Sequence, residues 1–185
     1  MSKTVIIPMA TGFEEIEAIT IIDTLRRAEN DVQTVSLNDQ LEVTGAHSIK
    51  TIADKSITAI KDFDAIILPG GMPGTTNLLE SHLLKELLIQ ANQDKKIIGA
   101  ICAAPWVLAE CGLLENKPAT CYPAFEDKLS NSEVTQNKVV ISDNIITSRG
   151  VGTALDFSLD CVKLLNGEDK ANELAKAMLV DHYLN

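Results

Sequence analysis

No stretch of this sequence approaches the ~18–20 consecutive apolar residues of a membrane span. The opening residues, MSKTVIIPMATGFEE, carry an apolar run that Pro8 breaks and acids follow. No signal peptide is expected, and the cytoplasm is the expected location. Positive charge is scarce: 16 Lys and Arg stand against 26 Asp and Glu, a formal charge of −10. Such a surface repels phosphate backbones and anionic lipid, so neither nucleic acid nor membrane is expected as a partner. There are only 3 histidines, His47, His82 and His182. No CxxC pair occurs among Cys102, Cys111, Cys121 and Cys161, which argues against a structural zinc site or a thioredoxin-type motif. The chain is also too core-rich to need disulfides. No Pro/Gly/Ser-rich linker, repeat or low-complexity tract divides it, so residues 1–185 are read as one domain.

What is present is an alternation of short apolar runs with longer amphipathic ones. That is the signature of a mainly parallel sheet covered by helices on both faces. The apolar runs cover residues 4–10, 31–37, 64–71, 96–102 and 139–148. The last is two runs around Asp143-Asn144, which suits a two-residue hairpin turn. Residues 41–53 alternate around Gly45 and read as a hairpin excursion. Helices are expected over 14–28, in one or two pieces over 75–92, from 102 to about 111, and over 153–165 and 168–179. The simplest doubly wound order is 2-1-3-4-5, the flavodoxin-like arrangement. Three segments should then converge beyond the strand ends: ATGFEEIE, PGGMPG and CAAP.

Cys102 ends an apolar strand between Ala100-Ile101 and Ala103-Ala104-Pro105. Small neighbours permit a sharp strand-to-helix turn, the logic of a nucleophile elbow. Pro105 suits a first helical turn, and a helix N-terminus would favour the thiolate. The spacing alone divides evenly between a reactive thiol and one more core residue. The other three cysteines read as small buried hydrophobes.

On the following period of 3.6, Ala18, Ile21, Ile22, Leu25 and Ala28 form one apolar stripe. Glu14 falls on it and Glu17 at its edge. A carboxyl pointed toward a core has a raised pKa and can stay protonated near neutrality, ready to donate to a thiolate or move a proton. Favouring the positive helix end is the competing account. It is preferred for Glu15 and left open for Glu14, whereas Glu17 reads as functional. Strands one and four lie about 9.6 Å apart at ~4.8 Å per spacing, which a glutamate one turn into its helix can bridge. Gly70, Gly71 and Gly74 read either as a tight turn or as free N–H groups for an oxyanion, with the N–H of Ala103 joining them. No histidine is positioned as a catalytic base. His82 and His182 read as surface residues; His47, in the hairpin excursion, reads as solvated, with an approach to the site or an interface as the alternative.

Gly12-Phe13-Glu14-Glu15-Ile16-Glu17, Leu68-Pro69-Gly70-Gly71, Ala100-Ile101-Cys102-Ala103-Ala104-Pro105 and Thr147-Ser148-Arg149-Gly150-Val151-Gly152-Thr153 together resemble the ThiJ/PfpI superfamily. The similar branch is that of the parkinsonism-associated deglycase and its bacterial relatives, from about Thr4 to the final helix. The resemblance implies a flavodoxin-like sandwich that forms a homodimer. It implies Cys102 as the reactive thiol, Glu17 as its protonated partner, and N–H groups near Gly71 and Ala103 as an oxyanion pocket. The implied activity is a cofactor-free, metal-free, glutathione-independent glyoxalase or deglycase. Its substrates would be small 2-oxoaldehydes such as methylglyoxal and glyoxal, or their early glycation adducts. The rival reading is a non-enzymatic oxidative-stress sensor or chaperone working through oxidation of Cys102. A flavin- or nucleotide-binding module is a third, without a phosphate loop to support it. Two positions depart from the resemblance: Tyr122 stands where human-type members place a histidine, as in bacterial relatives, and His47 where an arginine often lies. Ala103 after Cys102, in place of a histidine, argues against the protease-like branch.

Overall fold

A strand covered on both faces has no side that can be polar, so it stays apolar at every position. The computed structural model, which describes residues 2–184, folds the long apolar runs in this way. In chain order the strands are β1 (Thr4–Met9), β2 (Asp31–Ser36), β3 (Glu42–Thr44), β4 (Lys50–Ile52), β5 (Lys55–Ser56), β6 (Ala65–Leu68), β7 (Ile97–Ile101), β8 (Pro118–Ala119), β9 (Glu133–Val134), β10 (Val139–Ser142) and β11 (Ile145–Ser148). The helices are α1 (Glu15–Arg27), α2 (Gly74–Glu80), α3 (His82–Gln93), α4 (Pro105–Glu110), α5 (Ala154–Asn166) and α6 (Glu168–Ala177).

One sheet runs β10-β11-β7-β6-β1-β2-β5. Every neighbouring pair is parallel except β10–β11. Its five central strands have the order expected from the sequence. The hairpin turn at Asp143-Asn144 joins β10 to β11, and the excursion around Gly45 is the antiparallel pair β3–β4. Three short strands went unread, β5 at the sheet edge and the parallel pair β8–β9. Strands of two residues carry no period to detect. The strand expected over 64–71 ends at Leu68, because Pro69 has no N–H to donate and Gly70-Gly71 turns away.

Alternate residues of β1 enter opposite cores. Val5, Ile7 and Met9 pack with α1 and α5 through Ile21, Leu25, Phe157 and Val162. Ile6 faces α2, α3 and α4 through Leu78, Leu84, Leu88 and Leu108. The stripe Ala18, Ile21, Ile22, Leu25 and Ala28 on α1 is buried throughout. Among the described residues, no helix is long and apolar enough to cross a membrane. The paired rungs between β1 and β6 stop at Ile6 and Ile66, so toward their carboxyl ends these two strands pair only with their outer neighbours, β2 and β7. The loops after β1, β6, β7 and β11 meet there.

Candidate functional site

Cys102 is the first residue after β7, and it holds a left-handed backbone with φ 66°. That conformation costs a residue with a Cβ about 1–2 kcal/mol. Neighbouring backbone fixes it: the Cys102 N–H donates to the Ser148 carbonyl at 3.0 Å, and its own carbonyl accepts the Tyr122 N–H at 2.8 Å. Pro105 then opens α4. This is the sharp turn that small neighbours allow.

Two glycines let the loop after β6 close over the elbow. A Cβ on Gly70 would stand 2.6 Å from Cys102 Cβ and 2.8 Å from the Ile101 carbonyl oxygen. Gly71 has φ +94°, and a Cβ there would meet the Gly12 carbonyl oxygen at 2.6 Å. Gly71→Ala is therefore expected to lose at least about 2 kcal/mol of stability, from the strained backbone and the clash together. Urea unfolding would check it, and an unchanged midpoint would contradict it.

Glu17 is fully buried. Its Oε2 accepts the Gly70 N–H at 2.9 Å, while its buried Oε1 completes no hydrogen bond of regular geometry. Burial raises the Glu17 pKa to about 7, against the Gly70 bond and an interaction with Cys102, with the Glu14 charge adding to the rise. Burial likewise pushes the Cys102 thiol up, to about 12, helped by the Glu17 charge and hydrogen bond. The Gly71 and Ala103 N–H groups pull the other way. The two groups thus lie in contact at the mouth of the sheet, and each charge disfavours the other, so the two do not ionise together.

The sequence expectation about the thiolate needs correction. A helix end was expected to lower the Cys102 pKa, but α4 has only 6 residues and the thiol is raised. A thiolate is available only when Glu17 keeps the proton. Gly70 also differs in detail. Its N–H is committed to Glu17, which leaves the Gly71 and Ala103 N–H groups at the sulfur.

The remaining residues fall around this pair. The Glu14 N–H donates to the Gly70 carbonyl at 2.9 Å, so Glu14 braces the loop through its backbone. Glu15 was read as an acid favouring the positive helix end, and it is in the first turn of α1, but it is also 4% exposed. One of its oxygens accepts the His47 N–H at 2.7 Å, and the other meets His47 Nδ1 at 2.8 Å. Burial works to raise Glu15, but the bonds from His47 and Ile49 outweigh it and hold the carboxyl low. The same bond raises His47, whose ring is otherwise exposed. Glu15 thereby fastens the β3–β4 hairpin to the start of α1. The one sequence signal for this was Gly45, where any side chain would collide with the Glu15 carboxylate. Glu14, Glu15 and His47 each bring a ligand atom within 4.8 Å of the others, and the His47–Glu15 ion pair accounts for that closeness without an ion. Tyr122 is half exposed. With Lys138, Arg149, Gly150 and Val151 it lines a cleft of about 460 Å³. The four cysteines are free, with Cys121 and Cys161 buried.

A family model described as the DJ-1/PfpI family matches residues 3–164. The chain is 40% identical over 184 residues to protein DJ-1 homolog A of Arabidopsis thaliana, covering 97% of this chain but 47% of that protein, so it spans about half the length of that relative. It is 37% identical over 170 residues to the glutathione-independent glyoxalase DJR-1.2 of Caenorhabditis elegans, covering 89% of each. The crystal structure of Drosophila melanogaster DJ-1beta superposes with a TM-score of 0.94 at 38% identity, covering 97% of this chain and 98% of that one.

Proposed function

Since this chain belongs to the DJ-1/PfpI family, we propose that it is a cysteine-dependent, cofactor-free glyoxalase or deglycase acting on small 2-oxoaldehydes or their early glycation adducts. One observation carries the reading: a fully buried Glu17, one of whose oxygens makes no hydrogen bond of regular geometry, lies against the thiol of a left-handed Cys102. A relative at 37% identity bears the glyoxalase name.

The chemistry follows from where the proton sits. With Glu17 protonated, the Cys102 thiolate adds to the aldehyde carbon of methylglyoxal. The new oxyanion rests on the Gly71 and Ala103 N–H groups and takes the Glu17 proton. The resulting carboxylate removes the proton from the former aldehyde carbon, giving an enediolate. The same proton returns to the neighbouring carbon while the hydroxyl proton passes to the neighbouring oxygen, leaving a thioester of lactate. Water hydrolyses the thioester, releasing lactate and restoring the thiol. The oxidation of one carbon balances the reduction of its neighbour, so no external oxidant enters. A glycated amine or thiol would be attacked by the same groups. Lactate formed from methylglyoxal without glutathione, or free amine formed from a glycated substrate, tests the reading. Absence of both products would end it.

A second reading shares the orphaned oxygen. A protonated Glu17 would also donate to a sulfinate on Cys102. A sensor should gain two oxygens at Cys102 at low peroxide dose, read by intact mass, and show negligible turnover. A cytoplasmic setting, which keeps thiols reduced, suits either reading.

We also propose a homodimer. Ile16 and Ile19 on α1 are exposed, as are Ile49 and Ile52 of the hairpin that Glu15 fastens to it. An apolar face of this kind favours association. Ile19→Asp is expected to shift sedimentation toward monomer. A wild type that sediments as a monomer would refute the assignment.

A further inference from the structure

The chain has three arginines, and two are neutralised: Arg26 by Asp54 at 3.3 Å and Arg27 by Asp23 at 2.7 Å. Arg149, half-buried, has no carboxylate partner among the described residues. Its one polar contact is a long one, 3.4 Å from Nη1 to the Gln136 carbonyl oxygen. In a chain of formal charge −10, a guanidinium without a carboxylate partner is an anomaly that a ligand would resolve.

Its position points to the reacting pair. Arg149 directly follows Ser148, whose carbonyl accepts the Cys102 N–H, so its backbone stands about one strand spacing, ~4.8 Å, from the elbow. It lines the cleft with Tyr122, Lys138 and Gly150. A Cβ on Gly150 would lie 3.1 Å from the Tyr122 ring and 3.8 Å from Glu17 Oε1. The cleft wall at Gly150 therefore borders the orphaned carboxyl oxygen, with Arg149 next to it in the chain.

The surrounding charges set the valence of the ligand. Lys138 is engaged by Asp156 at 3.7 Å, and Asp156 also meets His182 at 3.0 Å. Glu126 and Arg149 act in opposite senses on Cys121, so Glu126 is the acid to weigh against this guanidinium, and no ion pair joins the two. The cleft thus offers a single uncompensated positive charge. A guanidinium fork matches one carboxylate in shape and charge. A phosphate dianion would add an unbalanced negative charge to an acidic protein.

We propose that Arg149 is a substrate-specificity residue that binds a carboxylate tail, so that the favoured substrates are 2-oxoaldehydes carrying a carboxylate beyond the reacting carbonyls. This rests on the reading of Cys102 as the nucleophile. The experiment compares methylglyoxal with dioxovalerate, a 2-oxoaldehyde with a propionate tail, in wild type, Arg149→Gln and Arg149→Lys. Wild type should favour dioxovalerate in kcat/KM, mainly through KM. Arg149→Gln should cut that preference roughly tenfold to a hundredfold, and Arg149→Lys should restore part of it. A preference that Arg149→Gln leaves unchanged would overturn the assignment while leaving the enzymatic reading intact. Binding is tested apart from turnover with levulinate, against neutral 2-pentanone, in a Cys102→Ser background. Levulinate should shift the amide resonances of Gly150 to Thr153, and Arg149→Gln should remove the shift. If wild type turns over neither aldehyde but levulinate binds through Arg149, the glyoxalase reading falls and the carboxylate subsite stands. No levulinate shift overturns the subsite.

Discussion

Cys102→Ser is expected to lower conversion of methylglyoxal by roughly a thousandfold or more, with the fold intact. A serine hydroxyl at this site has no base to activate it, since among the described residues Glu17 is the charged side chain that acts on position 102, and it is needed in its protonated form. The left-handed turn should survive the exchange, because its bonds to Ser148 and Tyr122 come from the backbone and not from the sulfur. Serine is also slightly smaller, so the close approach at Gly70 is not tightened. Melting followed by circular dichroism should be near wild type while lactate release disappears. A serine variant that retains more than about a tenth of wild-type turnover would remove Cys102 from the mechanism.

Glu17→Gln should separate two properties that one carboxyl combines. The amide oxygen can still accept the Gly70 N–H, and the amide nitrogen can still donate toward sulfur, but it cannot shuttle a proton. A loss in kcat of about 10²–10⁴ is expected, as for removal of a general acid–base. Stability should respond in the opposite sense. The wild-type carboxyl titrates near 7 in the folded chain, above its ordinary 4.5, chiefly because it is buried. The folded state therefore binds the proton more tightly than the unfolded one. Stability from this group is full below about pH 4.5 and falls as pH rises through about 7, by about 3 kcal/mol in all. Glu17→Gln should flatten that decline and be relatively more stable above neutrality. Urea titrations from pH 4 to pH 8 would check it, with pH steps of about one unit. An equal slope in wild type and variant would show that Glu17 is not the buried proton holder.

The frame of the site could be read from residues because the relevant signals were local or periodic. The unbroken apolar runs at 4–10, 64–71 and 96–102 marked buried parallel strands, and the stripe on α1 fixed which side of the helix met the sheet. Glu17 at the edge of that stripe had to point toward β6 and β7, and strand spacing gave the reach to Cys102. What could not be read depends on contacts between distant segments. Glu15 looked like any acid in a first helical turn. Its burial comes from a hairpin folding over the helix start, and Gly45 alone hinted at it. Gly70 and Gly71 are adjacent glycines in one loop, yet the N–H of one serves the carboxyl and that of the other the sulfur, a difference set by backbone direction. The raised thiol followed first from burial and then from the neighbouring carboxyl; the carboxyl was legible in the sequence, but the depth of burial at the elbow was not. Arg149 was part of a recognisable motif, but its lack of an ion-pair partner is visible only when every neighbouring side chain is in place.

The bonds that hold Cys102 in its left-handed turn have a bearing on the life of a newly made chain. The Ser148 carbonyl that receives the Cys102 N–H is translated well after the cysteine, and the acid that partners the sulfur gains its Gly70 donor only once β6 has docked beside β1. On the ribosome the thiol is an ordinary cysteine with no proton relay beside it. Under the proposed mechanism, turnover therefore waits for the last strand of the sheet, because only then do the left-handed turn, the sulfur and the carboxyl stand together.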